Sequence, residues 1–207
     1  MRTRLFLILI MVAAVTRSAR SQGYFVIDQQ SAGEDSPTEF GSPLQPPSFP
    51  VAQSFTPVFS SIDFVRLKLM TARGGLGLPA YVDVRLWSGW PSGRQLAMSE
   101  LEEIPYGFLG YAVFRFQTQV ALTPGATYFI EAVCQGEQGA FWLADLRLGY
   151  PGGMAWSGAT ARPSVDFWFQ EGIVVPEPTT AALLLVGLRA LGAAKWLRRE
   201  TRNVPHS

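Results

Sequence analysis

Between residues 22 and 172 the chain never sustains the apolar spacing of three and four residues that a helix requires. It shows instead short runs in which apolar and polar residues alternate, each closed by Pro, Gly or Ser. In 62–70, Val65, Leu67 and Leu69 share one face while Arg66 and Lys68 share the other. In 80–87, Val82, Val84 and Leu86 point one way and Asp83 and Arg85 the other, and 111–117 sets Ala112, Phe114 and Phe116 on a single face. Further runs at 52–58, 95–101, 127–133, 140–145 and 165–170 bring the expected strands to eight, with 24–28 as a ninth. Trp90-Pro91-Ser92-Gly93 and Leu122-Thr123-Pro124-Gly125 read as turns, and 31–50, rich in Pro, Ser and Gly, reads as an irregular loop. The expectation is an all-β fold, a single β-sandwich over 22–172.

The chain has one cysteine, Cys134, so no intramolecular disulfide can hold such a domain. The core must suffice, and a domain of about 150 residues buries roughly 70% of its unfolded surface. Seventeen basic against sixteen acidic residues leave a net charge of +1, with no basic surplus to suggest nucleic acid as a partner.

The two ends differ from the middle. Arg2 and Arg4 precede an apolar run over 5–15, too short to span a bilayer. With Ala19 and Ser21 as small residues before a cleavage point, 1–21 reads as a secretory signal peptide; the alternative is a buried first helix. At the other end, 173–207 contains Val175-Pro176-Glu177-Pro178, a helix-prone apolar stretch, and a basic cluster with Trp196, Arg198 and Arg199. Pro-Glu-Pro ends regular structure. The stretch beyond it reads as a membrane helix with a basic cytoplasmic end, leaving the middle outside. Arg189 interrupts that stretch at a cost of about 2.5–3.5 kcal/mol on insertion scales, so an amphipathic surface helix is the other reading.

The order Val175-Pro176-Glu177-Pro178, apolar helix and Arg198/Arg199 resembles the PEP-CTERM sorting signal of bacterial exported proteins. That resemblance implies export, transient inner-membrane anchoring, processing by an exosortase-type enzyme, and a place in the cell envelope or extracellular matrix, often beside exopolysaccharide. The body resembles jelly-roll-like β-sandwich modules of exported bacterial proteins. The residues carrying this are Gln53-Ser54-Phe55-Thr56-Pro57, Ile62-Asp63-x-Val65-x-Leu67, Leu122-Thr123-Pro124-Gly125-Ala126-Thr127-Tyr128, Tyr150-Pro151-Gly152-Gly153 and Asp166-Phe167-Trp168-Phe169. Most are turn chemistry, so they speak to fold rather than activity.

Catalysis has little to stand on. The one histidine is His206, in the tail, so no Ser-His-Asp or Cys-His arrangement forms in the body. Asp83, Glu100, Glu102, Glu103, Glu131, Asp145 and Asp166 are candidates for a glycosidase pair, but no spacing singles two of them out. The chain is read as a non-enzyme. No cofactor or metal is expected: Glu34, Asp35 or Asp166 could face calcium, yet no Asp-x-Asp spacing occurs.

Binding is better founded, because 13% of the residues are aromatic and six are Trp. Sugar rings present apolar faces that stack on aromatic planes, with polar groups nearby to fix their hydroxyls. Trp87 and Trp90 flank one turn, and Tyr150 and Trp156 bracket another. These four form a candidate stacking platform, with Arg94 and Asp145 as hydrogen-bonding partners. Two alternatives stay open. One is a structural envelope protein whose aromatics only fill the core. The other is an ice- or surface-adhesion protein, which would need a flat face of regularly spaced Thr.

Overall fold

The computed structural model describes residues 23–31, 39–44, 50–71, 77–136, 138–145, 150–176 and 189. The chain divides into a compact unit, Phe25–Val174, and a second unit made of Met1–Tyr24 and Val175–Ser207. Of the second unit, Gly23, Tyr24, Val175, Pro176 and Arg189 are described. The signal-peptide expectation, with Arg2 and Arg4, and the sorting residues Glu177, Pro178, Arg198 and Arg199 lie outside the described residues. Among the described residues no helix is long and apolar enough to cross a membrane.

The described residues form fourteen strands and no helix in Phe25–Val174. They are β1 (Tyr24–Gln30), β2 (Glu39–Pro43), β3 (Val51–Phe55), β4 (Ser61–Thr71), β5 (Ala80–Trp87), β6 (Gln95–Met98) and β7 (Glu102–Ile104). There follow β8 (Leu109–Ala121), β9 (Tyr128–Gln135), β10 (Ala140–Asp145), β11 (Ala155–Ser157), β12 (Thr160–Arg162), β13 (Asp166–Phe167) and β14 (Phe169–Val175). Two sheets result. The first runs β1-β14-β4-β10-β13, with β8 beside β4 and β2 beside β10; the second runs β12-β11-β3-β9-β5-β6, with β7 beside β5. Every pairing whose register is defined is antiparallel, an all-β, two-sheet arrangement consistent with a β-sandwich.

Alternation decides which side chains meet between the sheets. Val65, Leu67 and Leu69 of β4 and Ala112 and Phe114 of β8 face Val82, Val84 and Leu86 of β5 and Ile130 and Cys134 of β9, all in one buried cluster. Burying a side chain of the Val, Leu or Phe class contributes about 1.5–3 kcal/mol. Trp142 and Phe167 stack with centroids 4.6 Å apart, and the Trp142 indole N–H donates to the Trp168 carbonyl at 2.9 Å.

Several expected elements come out differently. The run 165–170 splits into β13 and β14 at Trp168, whose N–H donates to Leu143 of β10 while its carbonyl accepts from Lys68 of β4. The run 52–58 stops at Phe55, before Pro57, and 95–101 is shorter, whereas 111–117 extends to Leu109–Ala121. The expected loop 31–50 contains β2, which pairs with the outer side of β10. β7, β11 and β12 are three-residue strands, too short to alternate visibly.

The turn Tyr150-Pro151-Gly152-Gly153 packs against β3. Ser54 Oγ accepts the Met154 N–H at 2.8 Å, and the Ser54 N–H donates to the Met154 carbonyl at 2.9 Å. A Cβ on Gly153 would lie 1.9 Å from the Ser54 carbonyl oxygen, a backbone atom with nowhere to go. Gly107, by contrast, needs glycine only for its φ of +73°, with open space around it. Gly153→Ala is therefore expected to cost about 3 kcal/mol through the forced backbone shift, against about 1 kcal/mol for Gly107→Ala. Denaturant midpoints of the two variants measure the difference, and equal costs would refute the close-approach argument.

Candidate functional site

The outward face of the second sheet carries the aromatic residues singled out in the sequence, in a revised grouping. β5 and β9 pair in a register that sets Trp87 opposite Phe129, Arg85 opposite Glu131, Asp83 opposite Val133 and Tyr81 opposite Gln135. All these side chains leave the core, because the inward positions of β5 are Val82, Val84 and Leu86. On the next strand, β3, the outward positions are the small residues Ala52 and Ser54. Trp156 of β11 stands opposite Ala52, and its ring reaches the Phe129 ring at 5.8 Å and 75°. Trp87 and Trp90 form a second edge-to-face pair at 6.0 Å and 79°. Trp87, Trp90 and Trp156 are each half-buried. Edge-to-face pairs of this kind contribute about 0.5–1.5 kcal/mol beyond the area they bury.

Trp90 sits in the turn between β5 and β6, not on a strand. Its indole N–H donates to the Gly158 carbonyl at 2.7 Å, and Gly158, at φ +56°, is the turn residue between β11 and β12. Two surface turns are thereby tied together through one tryptophan.

Beside the rings runs a chain of polar contacts. Gln135 Nε2 donates to Asp83 Oδ2 at 2.8 Å, and Arg85 Nε donates to Asp83 Oδ1 at 2.9 Å. Arg85 Nη1 stands 4.0 Å from Glu131 Oε2, which also accepts the Trp87 indole N–H at 3.0 Å. The Arg85 side chain keeps 28% of its surface exposed and remains within reach of solvent. Burial pushes the Glu131 carboxyl above its usual range; the Arg85 charge and the Trp87 hydrogen bond pull it down, and Asp83 pushes it up.

The other sequence candidates lie elsewhere. Tyr150 is buried against Phe169, ring to ring at 5.2 Å, with its hydroxyl donating to Gln29 Oε1 at 2.8 Å, so it offers no stacking face. Asp145 is buried and stands opposite Asp166 in the β10–β13 pair. Arg94 is exposed in the turn after Trp90, where its carbonyl accepts the Ser88 N–H. The structure thus brings together Trp87, Trp90 and Trp156 and separates Tyr150 and Asp145 from them. Phe129, Glu131 and Gln135 join instead. The signal for Phe129 and Glu131 was the alternation of 127–133, whose outward positions follow once its inward ones are fixed; Gln135 lies beyond that run, in the part of β9 that extends past it. Cys134 is buried, and burial pushes its thiol up, so it is held as an inert thiol and not as a nucleophile.

The folded-state pKa of Glu131 lies above its ordinary 4.5, so the native state binds that proton more tightly than the unfolded chain does. The resulting stabilisation is complete below the unfolded pKa and is lost as pH rises through the raised folded-state value. Glu131→Gln keeps an acceptor for the Trp87 indole and is expected to flatten that decline. Denaturant midpoints of wild type and variant across mildly acidic to neutral pH test this; parallel profiles would show that Glu131 does not carry the slope.

No known family model matches the chain, and no curated protein matches it.

Proposed function

We propose that the chain is an exported, exosortase-processed protein of the cell envelope or extracellular matrix, whose jelly-roll-like sandwich binds carbohydrate on the outward face of the β5–β9 ladder. The observation that carries the reading is the placement of Trp87, Trp90 and Trp156, half-buried on the solvent side of a sheet, next to a chain of hydrogen-bonding groups from Gln135 to Trp87. Core tryptophans of this protein look different: Trp142 and Trp168 are fully buried. A sugar ring needs an apolar plane and fixed polar groups within one ring's width, and the two lie side by side here. The proposed partners are an exosortase-type enzyme, the inner membrane during transit, and exopolysaccharide. Export rests on the basic and apolar patterning of the two ends. No catalytic role is proposed.

A second reading, an envelope protein without ligand, has one observation in its favour: the Trp90 indole N–H is already committed to Gly158. Binding separates the two. The full chain is expected to be retarded in native gels containing a polysaccharide, and Trp90→Ala to lose at least tenfold in affinity, about 1.4 kcal/mol. Retention of full affinity by Trp90→Ala would remove this face as the site. Absence of binding across a panel of neutral and acidic glycans, with the protein verified as folded, leaves the structural reading.

A further inference from the structure

We infer that Asp28 and Glu171 form a divalent-cation site of the calcium type that fastens β1 to the body of the first sheet. Glu171 stands opposite Val65 in the β14–β4 pair and therefore points between the sheets. It is 0% exposed, and neither carboxyl oxygen has a hydrogen-bond partner. Among the described buried acids, Glu171 has both oxygens unmet; Asp145 has only Oδ2 unmet, and Asp166 and Asp83 are supplied with donors. Asp166 accepts from the Tyr150 N–H and from Gln53 Nε2, and Asp83 accepts from Arg85 and Gln135. A carboxyl group buried with both oxygens unmet is among the costliest arrangements in a protein interior, and its presence needs a reason.

The surroundings supply one. β14 approaches β1 so closely that a Cβ on Gly172 would lie 2.0 Å from the Val26 carbonyl oxygen and 3.1 Å from the Asp28 nitrogen. The Asp28 carboxylate and the Gln29 N–H are near enough to act on Glu171, yet neither reaches it with the geometry of a hydrogen bond. Asp28 Oδ2 is occupied by the Val58 and Phe59 N–H groups at 2.8 Å each, while Oδ1 receives only Gln29 Nε2 at 3.3 Å and keeps lone pairs available. Gln29 Oε1 accepts the Tyr150 hydroxyl at 2.8 Å, and that hydroxyl, pushed up first by burial, also feels the Glu171 charge.

The groups on offer are carboxylate oxygens, hard donors that suit calcium better than a transition metal. Half-buried Asp28 provides the way in. Among the described residues no group of three or more acidic, His or Cys side chains converges, so affinity belongs at the weak end, about 10⁻⁴–10⁻³ M. Burial first and the Asp28 charge second push the Glu171 carboxyl up to about 9, the mark of a buried acid with no positive charge beside it. The inference does not depend on the glycan reading.

The test uses the full chain in metal-free buffer at mildly alkaline pH. Added calcium is expected to raise Tm as its concentration c approaches and passes the dissociation constant, the rise following ln(1 + c/Kd). Terbium is expected to luminesce on tyrosine excitation, through Tyr150. Glu171→Gln mimics the protonated acid and is expected to fold, losing both responses; Asp28→Asn supplies the same test if that variant fails. Exposed Glu103→Gln, as a control, keeps both. A wild-type Tm unmoved by calcium, a calcium response that survives in Glu171→Gln, or an equal response to magnesium would each overturn the assignment.

Discussion

Gln53 is a fully buried amide on β3, and the joining of the two sheets at one end depends on it. Its Oε1 accepts the Phe167 N–H at 2.8 Å, and its Nε2 donates to Asp166 Oδ1 at 2.9 Å. Phe167 and Asp166 form β13, a strand of the opposite sheet only two residues long. The other Asp166 oxygen takes the Tyr150 N–H, which sets the turn carrying Gly152 and Gly153, and Gly153 in turn lies on Ser54, the residue after Gln53. A closed circuit of buried polar groups joins β3, β13 and this turn. Such a circuit is stabilising only when complete, since any member left alone bears the cost of an unmet buried polar group. In a chain with a single cysteine it holds in place what a disulfide would otherwise constrain.

That circuit also explains what was and was not legible in the sequence. Strands β4, β5 and β8 were readable because each places apolar residues at every second position over six residues or more, and their inward faces came out as the alternation requires. β2, β11 and β12 were not, because their positions come from partners distant in sequence: β2 follows β10, and β11 follows β3. Nothing local in Glu39–Pro43, with Gly41 and Pro43 inside it, favours a strand. Tyr150 misled for the same reason. A tyrosine beside Pro-Gly-Gly reads as a surface turn, yet the turn folds inward because Asp166 and Ser54 claim its backbone.

The candidate site was half visible. Trp87, Trp90 and Trp156 could be named from turns and composition, but their grouping depends on β3 lying between β9 and β11 with Ala52 and Ser54 outward. The small side chain of Ala52 on the middle strand lets Trp156 reach Phe129 across it. The carboxylates beside them, Asp83 and Glu131, are two of the seven acids in the sequence among which no spacing singles out a catalytic pair. In the structure Asp83 and Glu131 share one guanidinium, which makes them positioning groups for Arg85 and Trp87.

A purely protective layer over the sheet would need only apolar area. Here two of the three tryptophan rings are also fixed in direction: Trp87 through Glu131, and Trp90 through Gly158. Arg85 is fixed through Asp83, which Gln135 holds from the other side. Each such bond removes rotamer freedom before any partner arrives, and side-chain ordering is a main cost of association, about 0.5–1.5 kcal/mol per immobilised side chain. A face whose aromatic planes and guanidinium are already set loses little of that freedom when a rigid ring settles on it. The cost has been met during folding by the β5–β9 ladder, and the same register that fills the core with Val82, Val84 and Leu86 turns Asp83, Arg85 and Trp87 outward. One alternating strand thus serves both faces of the sheet, and no residue of the outward face can change register without emptying the core.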